Sequence, residues 1–356
     1  MAVVNENKAH YLAISEALQT LFTVIYFSDC DAALNAFKIV LPALIITDDN
    51  TLPRGGRDLA WRIKHEIPGA DCAVIVTTNR QDNATLNHPD LYGVKAYLKK
   101  PYRKTSLITL SCQLISQRAK TLWHNLPELS RKTLEDTSKS FELLGNFFEG
   151  GPTPSYEAIA ESCTPLVEAV EANNFKSILE SVKAHDDYSY AHSLKVATLL
   201  TLFGLAGNLS QSDRLVLATG GLLHDVGKMA IPHGVLNKPG RLTPEEREVM
   251  EGHVMATRGM LRCSDGVAHG AIIIAEQHHE KMDGSGYPNG LAGSKLNELA
   301  RMAAIVDVFS ALTDKRVYKP AMSTEKALGI MSDDMPGHFD PNFLRVFKTF
   351  VLDAGV

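Results

Sequence analysis

The segment Leu215–Lys228, L-V-L-A-T-G-G-L-L-H-D-V-G-K, decides the fold of the second half of this 356-residue chain. Its apolar run up to Leu223 predicts a buried helix. His224 and Asp225 follow at the end of that helix, where a charge is costly unless it is paired or bound to a metal ion. The segment therefore predicts a helical region with a polar site in its interior.

Further residues that can bind metals lie on or beside apolar helical patterns in the same half of the chain. They are His192, His253, His278, His279 and Asp307. A single histidine is more often a core or surface residue than a ligand, but an ordered set with H-D-x-x-K and H-H-E indicates a metal centre. Imidazole and carboxylate groups suit iron, manganese or zinc, and an aspartate can bridge two ions.

Several motifs between residues 185 and 350 carry a more specific resemblance. They are D-Y-S-Y-A-H-S (Asp187–Ser193), L-L-H-D-V-G-K (Leu222–Lys228), I-P (Ile231-Pro232), L-N-K-P-G-R-L (Leu236–Leu242), H-H-E-K-M-D-G-S-G-Y-P (His278–Pro288) and D-V-F-S-A-L-T-D-K-R-V-Y-K-P (Asp307–Pro320). On these motifs the region resembles the HD-GYP family, a branch of the HD metal-dependent phosphohydrolases. The resemblance implies a helical domain that binds two or three metal ions and hydrolyses cyclic di-GMP or, in some members, cyclic GMP-AMP.

The resemblance also implies roles for individual residues. The metal ligands would be His192, His224, Asp225, His253, His278, His279 and Asp307, with Asp225 bridging the ions. The catalytic group would be His224, Asp225 and Lys228. The substrate-binding residues would be Gly284, Gly286, Tyr287, Arg316 and Lys319. Members with a third metal ion have a glutamate where this chain has Tyr188, so we expect two ions, iron or manganese, and the linear dinucleotide pGpG rather than GMP as the main product.

The first 120 residues follow a different pattern, in which short β-branched runs alternate with amphipathic stretches. The predicted strands are Ala2–Val4, Phe22–Phe27, Ala43–Thr47, Ala73–Thr78 and Lys95–Leu98. This alternation predicts a five-stranded parallel sheet with helices on both faces. Functional groups gather at the carboxyl ends of such strands. The groups at those ends are Asn5 and Glu6, Asp48 and Asp49, Thr77 and Thr78, and Lys99 and Lys100.

This part of the chain resembles a response-regulator receiver domain. Asp49 is followed four residues later by a proline, and Thr78 and the Lys100-Pro101 pair lie at matching strand ends. By similarity, Asp49 would accept a phosphoryl group, Thr78 and Lys100 would contact its oxygens, and Glu6 would help to hold magnesium. Receivers usually carry two acids after the first strand, whereas Asn5 precedes Glu6 here. A degenerate receiver that serves only in dimerisation therefore remains open.

The expected organisation is an α/β doubly wound receiver-like domain in residues 1–120, a helical connector in residues 121–185 and an all-α HD-type phosphohydrolase domain in residues 186–356. A net charge of −5 does not favour binding to a nucleic acid polymer. The five scattered cysteines indicate reduced thiols. No signal peptide or long apolar run is evident, so we expect a cytoplasmic protein.

Three functions remain open at this point. The first is a cyclic dinucleotide phosphodiesterase controlled by a receiver, with cyclic di-GMP or cyclic GMP-AMP as substrate. The second is a protein that binds a cyclic dinucleotide or a partner without turnover, and the third is another HD phosphohydrolase. Expected partners are a sensor histidine kinase, a diguanylate cyclase-type protein and a second copy of the chain.

Overall fold

The computed structural model describes residues 1–18, 22, 24–79, 92–148, 150–183, 188–236, 238, 240–314 and 322–356. The chain divides into two compact units, Met1–Leu122 and Trp123–Val356. None of the helices in these ranges combines the length and apolarity that crossing a membrane requires.

The first unit contains a parallel five-stranded sheet in the order β2-β1-β3-β4-β5. The strands are β1 Ala2–Val4, β2 Ile25–Phe27, β3 Leu44–Asp48, β4 Ala73–Thr78 and β5 Ala96–Lys99. The helices are α1 Lys8–Leu18, α2 Cys30–Phe37, α3 Gly56–Glu66 and α4 Lys104–Trp123. This strand order is one of the two common doubly wound arrangements and occurs in response-regulator receivers. The predicted fold class of this unit is confirmed.

Alternate strand residues pack on opposite faces of the sheet. Ile45 and Val74 belong to one hydrophobic cluster, and Ile46 and Ile75 belong to the other. Strands buried on both faces explain the continuous apolar runs in the sequence. The second strand is shorter than predicted and begins at Ile25, after Phe22, whose amide donates to the Leu18 carbonyl over 2.8 Å.

The second unit is built from helices, as predicted. They are α5 Glu128–Phe148, α6 Tyr156–Glu171, α7 Phe175–Lys183, α8 Tyr188–Ala206, α9 Gln211–Leu223, α10 His233–Leu236, α11 Pro244–Glu251, α12 His253–Cys263, α13 His269–Gln277, α14 Glu298–Thr313, α15 Thr324–Asp333 and α16 Pro341–Ala354. Short 3₁₀ helices lie at Val226–Ala230 and Gly293–Lys295. The capping box predicted from Thr243 and Glu246 is present at the start of α11.

Helices that the sequence assigned to a connector pack within this second unit. The buried hydroxyl of Tyr190 in α8 donates to the Leu134 carbonyl in α5 over 3.1 Å. The same hydroxyl lies 3.0 Å from the hydroxyl of Thr137. Amphipathic periodicity indicates that α5 has an apolar face, but it does not indicate which neighbour covers that face.

Gly221 allows α8 and α9 to approach closely near the end of α9. A Cβ added to Gly221 of α9 would lie 2.7 Å from Cα and 2.9 Å from the backbone nitrogen of Ala197 in α8. Both atoms belong to a backbone that cannot move without displacing α8. The close crossing therefore places the end of α9, with His224 and Asp225, against α8.

We expect Gly221→Ala to destabilise the protein by about 1–3 kcal/mol, because overpacking forces two helices apart. Gly259→Ala is the matched control, since Gly259 lies inside α12 and its added Cβ meets nothing within 4 Å. That variant should gain about 0.5–1 kcal/mol from helix propensity. Urea unfolding followed by circular dichroism measures both changes, and equal effects at the two positions would contradict the close crossing.

Candidate metal centre

Seven histidine and aspartate side chains from separate helices meet in the core of the second unit. His192 lies on α8, His224 ends α9, His253 begins α12, and Asp307 lies on α14. Asp225 follows His224, and His278 and His279 follow α13. These residues form two groups, each with ligand atoms within 4.8 Å of one another. The groups are Asp225, His253, His278 and His279, and His192, His224, Asp225 and Asp307.

Asp225 belongs to both groups, and each of its oxygens faces one of them. Its Oδ1 lies 3.2 Å from Nε2 of His253 and 3.6 Å from Nε2 of His278. Its Oδ2 lies 3.3 Å from Nε2 of His224 and 3.6 Å from Nε2 of His192. The structure thus brings all seven predicted ligands together and places the predicted bridging residue between the two groups.

Asp307 also spans the two groups. Its Oδ1 lies 3.0 Å from Nε2 of His192, and its Oδ2 lies 3.7 Å from Nδ1 of His279. Two carboxylates and five imidazoles can therefore face a common interior. Only the side chain of His279 among the five histidines keeps notable exposure, at 21%.

Backbone carbonyls fix three of the imidazole rings. Nδ1 of His224 donates to the Gly221 carbonyl over 2.7 Å, and Nδ1 of His253 donates to the Met250 carbonyl over 2.6 Å. Nδ1 of His278 lies 3.1 Å from the carbonyl of Ala275. Because a carbonyl only accepts, these contacts place a proton on Nδ1 and leave Nε2, which is directed at the centre, as the nitrogen that can bind a metal ion.

Several buried atoms of the centre lack a hydrogen-bond partner. They are Nε2 of His224, His253 and His278, and Oδ1 of Asp225. Buried polar atoms are almost always satisfied, so four buried polar atoms without a partner in one place indicate a ligand site. Nitrogen and carboxylate oxygen donors fit a divalent transition metal. The residues present therefore fit a pair of metal ions.

The electrostatics of the cluster lead to the same conclusion. Burial opposes charge on His224, yet the carboxylates of Asp225 and Asp307 raise its pKa to about 10. Burial also opposes charge on Asp225, but Lys228 and the histidines hold its pKa well below the usual range. Burial lowers the pKa of His279. The two carboxylates thus stay ionised and demand positive charge between them.

Comparison with known protein families identifies this helical region. Residues 174–343 match the family model described as HD domain. The chain thus carries an HD domain in this stretch. The match begins just before α7 and includes all seven residues of the metal centre.

Several curated proteins that are similar to this chain are cyclic dinucleotide phosphodiesterases. The chain is 41% identical to a cyclic di-GMP phosphodiesterase of Pseudomonas aeruginosa, over 50% of this chain and 42% of that protein. It is 34% identical to the 3′3′-cGAMP-specific phosphodiesterase 3 of Vibrio cholerae, over 53% and 41%. It is 28% identical to a cyclic di-GMP phosphodiesterase of Thermotoga maritima, over 97% and 87%. The chain spans less than half the length of the first two relatives. These matches confirm the resemblance to the HD-GYP family.

The glycine-rich loop of the HD domain lies against the centre. The Tyr287 ring stacks on His279 with centroids 4.6 Å apart, and the Tyr287 amide donates to the His279 carbonyl over 3.2 Å. A Cβ on Gly286 would lie 2.5 Å from that carbonyl oxygen, and Gly284 has φ of +79°. Tyr287 and Gly286 thus lie against His279, whereas Gly284 lies against Ala292 of the same loop. Arg316 and Lys319 lie outside the described residues, as does the side chain of Tyr188.

Three further residues of the HD domain support the centre without having been predicted. Glu280 is buried, and its carboxylate accepts the amides of Asn289 over 2.7 Å and Leu291 over 2.9 Å, which holds the glycine-rich loop. Asp314 contacts His192, and Lys195 contacts Asp314. The sequence does carry signals for two of them. Glu280 directly follows His278 and His279, and Lys195 lies inside an apolar helix.

At the carboxyl edge of the sheet in the first unit, the side chains form two separate groups, one around Asp48 and one around Asp49. Lys100 forms an ion pair with Asp48, and the Thr77 hydroxyl donates to Asp48 over 2.6 Å. Asp49 accepts from the Thr78 hydroxyl over 2.6 Å and from Arg57 over 2.8 Å. Lys100 thus pairs with Asp48, although the sequence had assigned it to Asp49. The reason is that adjacent strand residues point to opposite faces, and Asp48 is in register with Thr77.

The predicted magnesium ligand at this edge has a different environment from the one expected. Glu6 is exposed, whereas Asn5 is buried and its side-chain nitrogen lies 2.7 Å from Nδ1 of His10. Burial and the nearby Lys100 lower the pKa of His10. Hydrogen bonds from Lys100 and Thr77 lower the pKa of Asp48 against the effect of burial. Asn5, which stands where receivers usually carry an acid, is thus paired with His10, and Glu6 is exposed.

Metal content tests the shared role of Asp225. Protein loaded anaerobically with manganese should hold about two ions per chain, one for each ligand group. His253→Ala should lose about one ion, and Asp225→Ala should lose both, because Asp225 is a member of both ligand groups. Elemental analysis after gel filtration measures this. His269→Ala is the control, because His269 is an exposed histidine of α13, and it should keep the metal content of the wild type. Full metal content in Asp225→Ala would contradict the shared role of Asp225.

Proposed function

We propose that the chain is a metal-dependent phosphodiesterase that hydrolyses cyclic di-GMP to the linear dinucleotide pGpG. The observation that carries this proposal is the buried carboxylate of Asp225, whose two oxygens serve two ligand groups. The substrate class follows from the relatives, since a cyclic di-GMP phosphodiesterase is 41% identical to this chain over the HD domain.

The seven residues of the centre would hold two ions, with Asp225 bridging them. Iron or manganese is the proposed metal, because the donor set of imidazoles and carboxylates suits both. When bound, the ions would neutralise charge on the phosphoryl group and activate water at neutral pH. A phosphodiester needs both effects, because its anionic oxygens repel nucleophiles.

Side-chain exposure indicates the side from which the substrate approaches. His224 and His278 are fully buried, whereas Lys228 and His279 keep 24% and 21% exposure. The ring of Tyr287 stacks on the partly exposed His279. We therefore place the substrate between Lys228 and the glycine-rich loop, where the Lys228 ammonium can bind a phosphate oxygen and the Tyr287 ring can contact a base. Arg316 and Lys319 stay predicted phosphate ligands.

A second candidate substrate is 3′,3′-cyclic GMP-AMP. The support is the 34% identity to a 3′3′-cGAMP-specific phosphodiesterase. A protein that binds a cyclic dinucleotide without turnover is less well supported, because all seven ligands are retained. A sensor histidine kinase, a diguanylate cyclase-type partner, a homodimer and a cytoplasmic location stay predictions.

The receiver-like unit is proposed to control this activity through phosphorylation. The contacts favour Asp48 as the phosphoryl acceptor, because Lys100 and the Thr77 hydroxyl reach its carboxylate. Asp49, which the sequence favoured, is held by Arg57 and Thr78. Magnesium at this edge stays a prediction.

Turnover tests the enzymatic proposal directly. Protein loaded anaerobically with ferrous iron or manganese should convert cyclic di-GMP to pGpG, and the Asp225→Ala variant should not. Lys228→Met should lower kcat by about 100-fold, because it removes one cation that stabilises transition-state charge. Chromatography of the products measures turnover, and metal content is determined in parallel. If fully metallated wild type cleaves neither cyclic di-GMP nor cyclic GMP-AMP, the proposal is wrong.

Phosphorylation by acetyl phosphate separates the two acceptor candidates. Asp48→Asn should abolish incorporation of a base-labile, hydroxylamine-labile phosphoryl group, because it removes the nucleophilic carboxylate. Asp49→Asn is the matched control, since it makes the same change one residue later, and it should retain incorporation. Intact-protein mass spectrometry measures the added phosphoryl group. Loss in Asp49→Asn alone would restore the assignment made from the sequence.

A further inference from the structure

His192 is held by a different kind of group from the one that holds His224, His253 and His278. His224, His253 and His278 direct Nδ1 at neutral backbone carbonyls. Nδ1 of His192 instead lies 2.9 Å from Oδ2 of Asp314, which is a carboxylate. Three imidazoles of the centre are therefore held by neutral backbone carbonyls, and that of His192 is held by a negatively charged carboxylate.

Helix α14 holds the His192 ring from both sides. Asp307 lies on α14 and Asp314 caps its C-terminus, two helical turns further on, so both side chains project from one face. Asp307 Oδ1 lies 3.0 Å from Nε2 of His192, while Asp314 contacts Nδ1. Two carboxylates of one helix thus fix both nitrogens of a single ring.

Asp314 is itself fixed by a buried lysine. Lys195 is 5% exposed and lies one turn after His192 on α8. Its Nζ donates to Oδ1 of Asp314 over 2.6 Å and to the Thr313 hydroxyl over 2.8 Å. One oxygen of Asp314 is therefore used by Lys195 and the other by His192, and the lysine offsets the charge of the carboxylate.

We propose that Asp314, held by Lys195, is a positioning residue that makes the two metal sites unequal. A carboxylate behind a ligand imidazole fixes its orientation and increases its basicity, and loss of such support typically weakens metal binding by about 10–100-fold. The group of His192, His224, Asp225 and Asp307 already has two carboxylates, whereas the other group has one. The ion beside His192 is the more tightly bound of the two. This inference rests on the metal pair of the proposed function.

The alternative is that Lys195 and Asp314 only fasten α8 to α14 as a buried ion pair. Removing one partner of such a pair is strongly destabilising, because the other charge is left unpaired. Stability alone cannot separate the two roles. A double variant that removes both charges can separate them, since it restores charge balance without restoring the carboxylate.

The experiment measures stepwise Mn²⁺ affinities by competition with a chromophoric chelator, and the melting temperature of the metal-free protein. Asp314→Asn should weaken the tighter site about 10–100-fold and leave the weaker site within about twofold. Asp314→Asn combined with Lys195→Met should recover the melting temperature of the metal-free protein, while the tighter site stays weakened.

The matched control is Asp340→Asn. Asp340 pairs with Arg301 over 3.2 Å, and its side chain has the same 13% exposure as that of Asp314. Asparagine can keep the N-cap of α16, so this variant loses an ion pair of similar burial far from the ligands in sequence. Both metal affinities should stay at the wild-type values.

Three results would overturn the inference. They are unchanged affinities in Asp314→Asn, recovery of the tighter site in the double variant, and absence of metal binding by the wild type. Cyclic dinucleotide turnover does not enter these measurements. A protein that binds two ions with the expected asymmetry but cleaves no cyclic dinucleotide would contradict the proposed activity and leave the inference intact.

Discussion

The burial of one ionised carboxylate, Asp225, is the constraint on which the HD domain depends. Only 4% of this residue is exposed, and it lies beyond an apolar helix whose end is closed to water. An unpaired charge in that position would be prohibitive. Four histidines and Lys228 accordingly surround this carboxylate, the histidines as candidate metal ligands and Lys228 as a positive charge.

Backbone packing makes this concentration of ligands possible. Gly221 lets α9 approach α8, and a Cβ on Gly227 would lie 2.1 Å from the His253 carbonyl oxygen. The turn after Asp225 thus rests directly on the start of α12, and the Gly227 amide donates to the Thr257 hydroxyl over 2.9 Å. The ligand geometry is set by contacts between main chains, which are stiffer than contacts between side chains.

Much of the candidate site could be predicted from the sequence, because an ordered set of histidine and aspartate residues indicated a metal centre. The seven candidate ligands and the Tyr287 loop then followed from the resemblance to the HD-GYP family. Asp314 was not predicted, because its role depends on which tertiary neighbour it meets. Asp48 and Asp49 show the same limit at a smaller scale, since neighbouring residues look equivalent in sequence although pleating sends them to different partners.

The double use of Asp225 also has a thermodynamic consequence. Two ions that share a ligand cannot bind independently, and the factor by which the first changes the affinity of the second is the same in either order of binding. For the proposed pair of ions, loss of one would therefore alter the retention of the other through the same carboxylate. Metal occupancy would be a joint property of the pair, so the supply of one cation would change the binding curve of both.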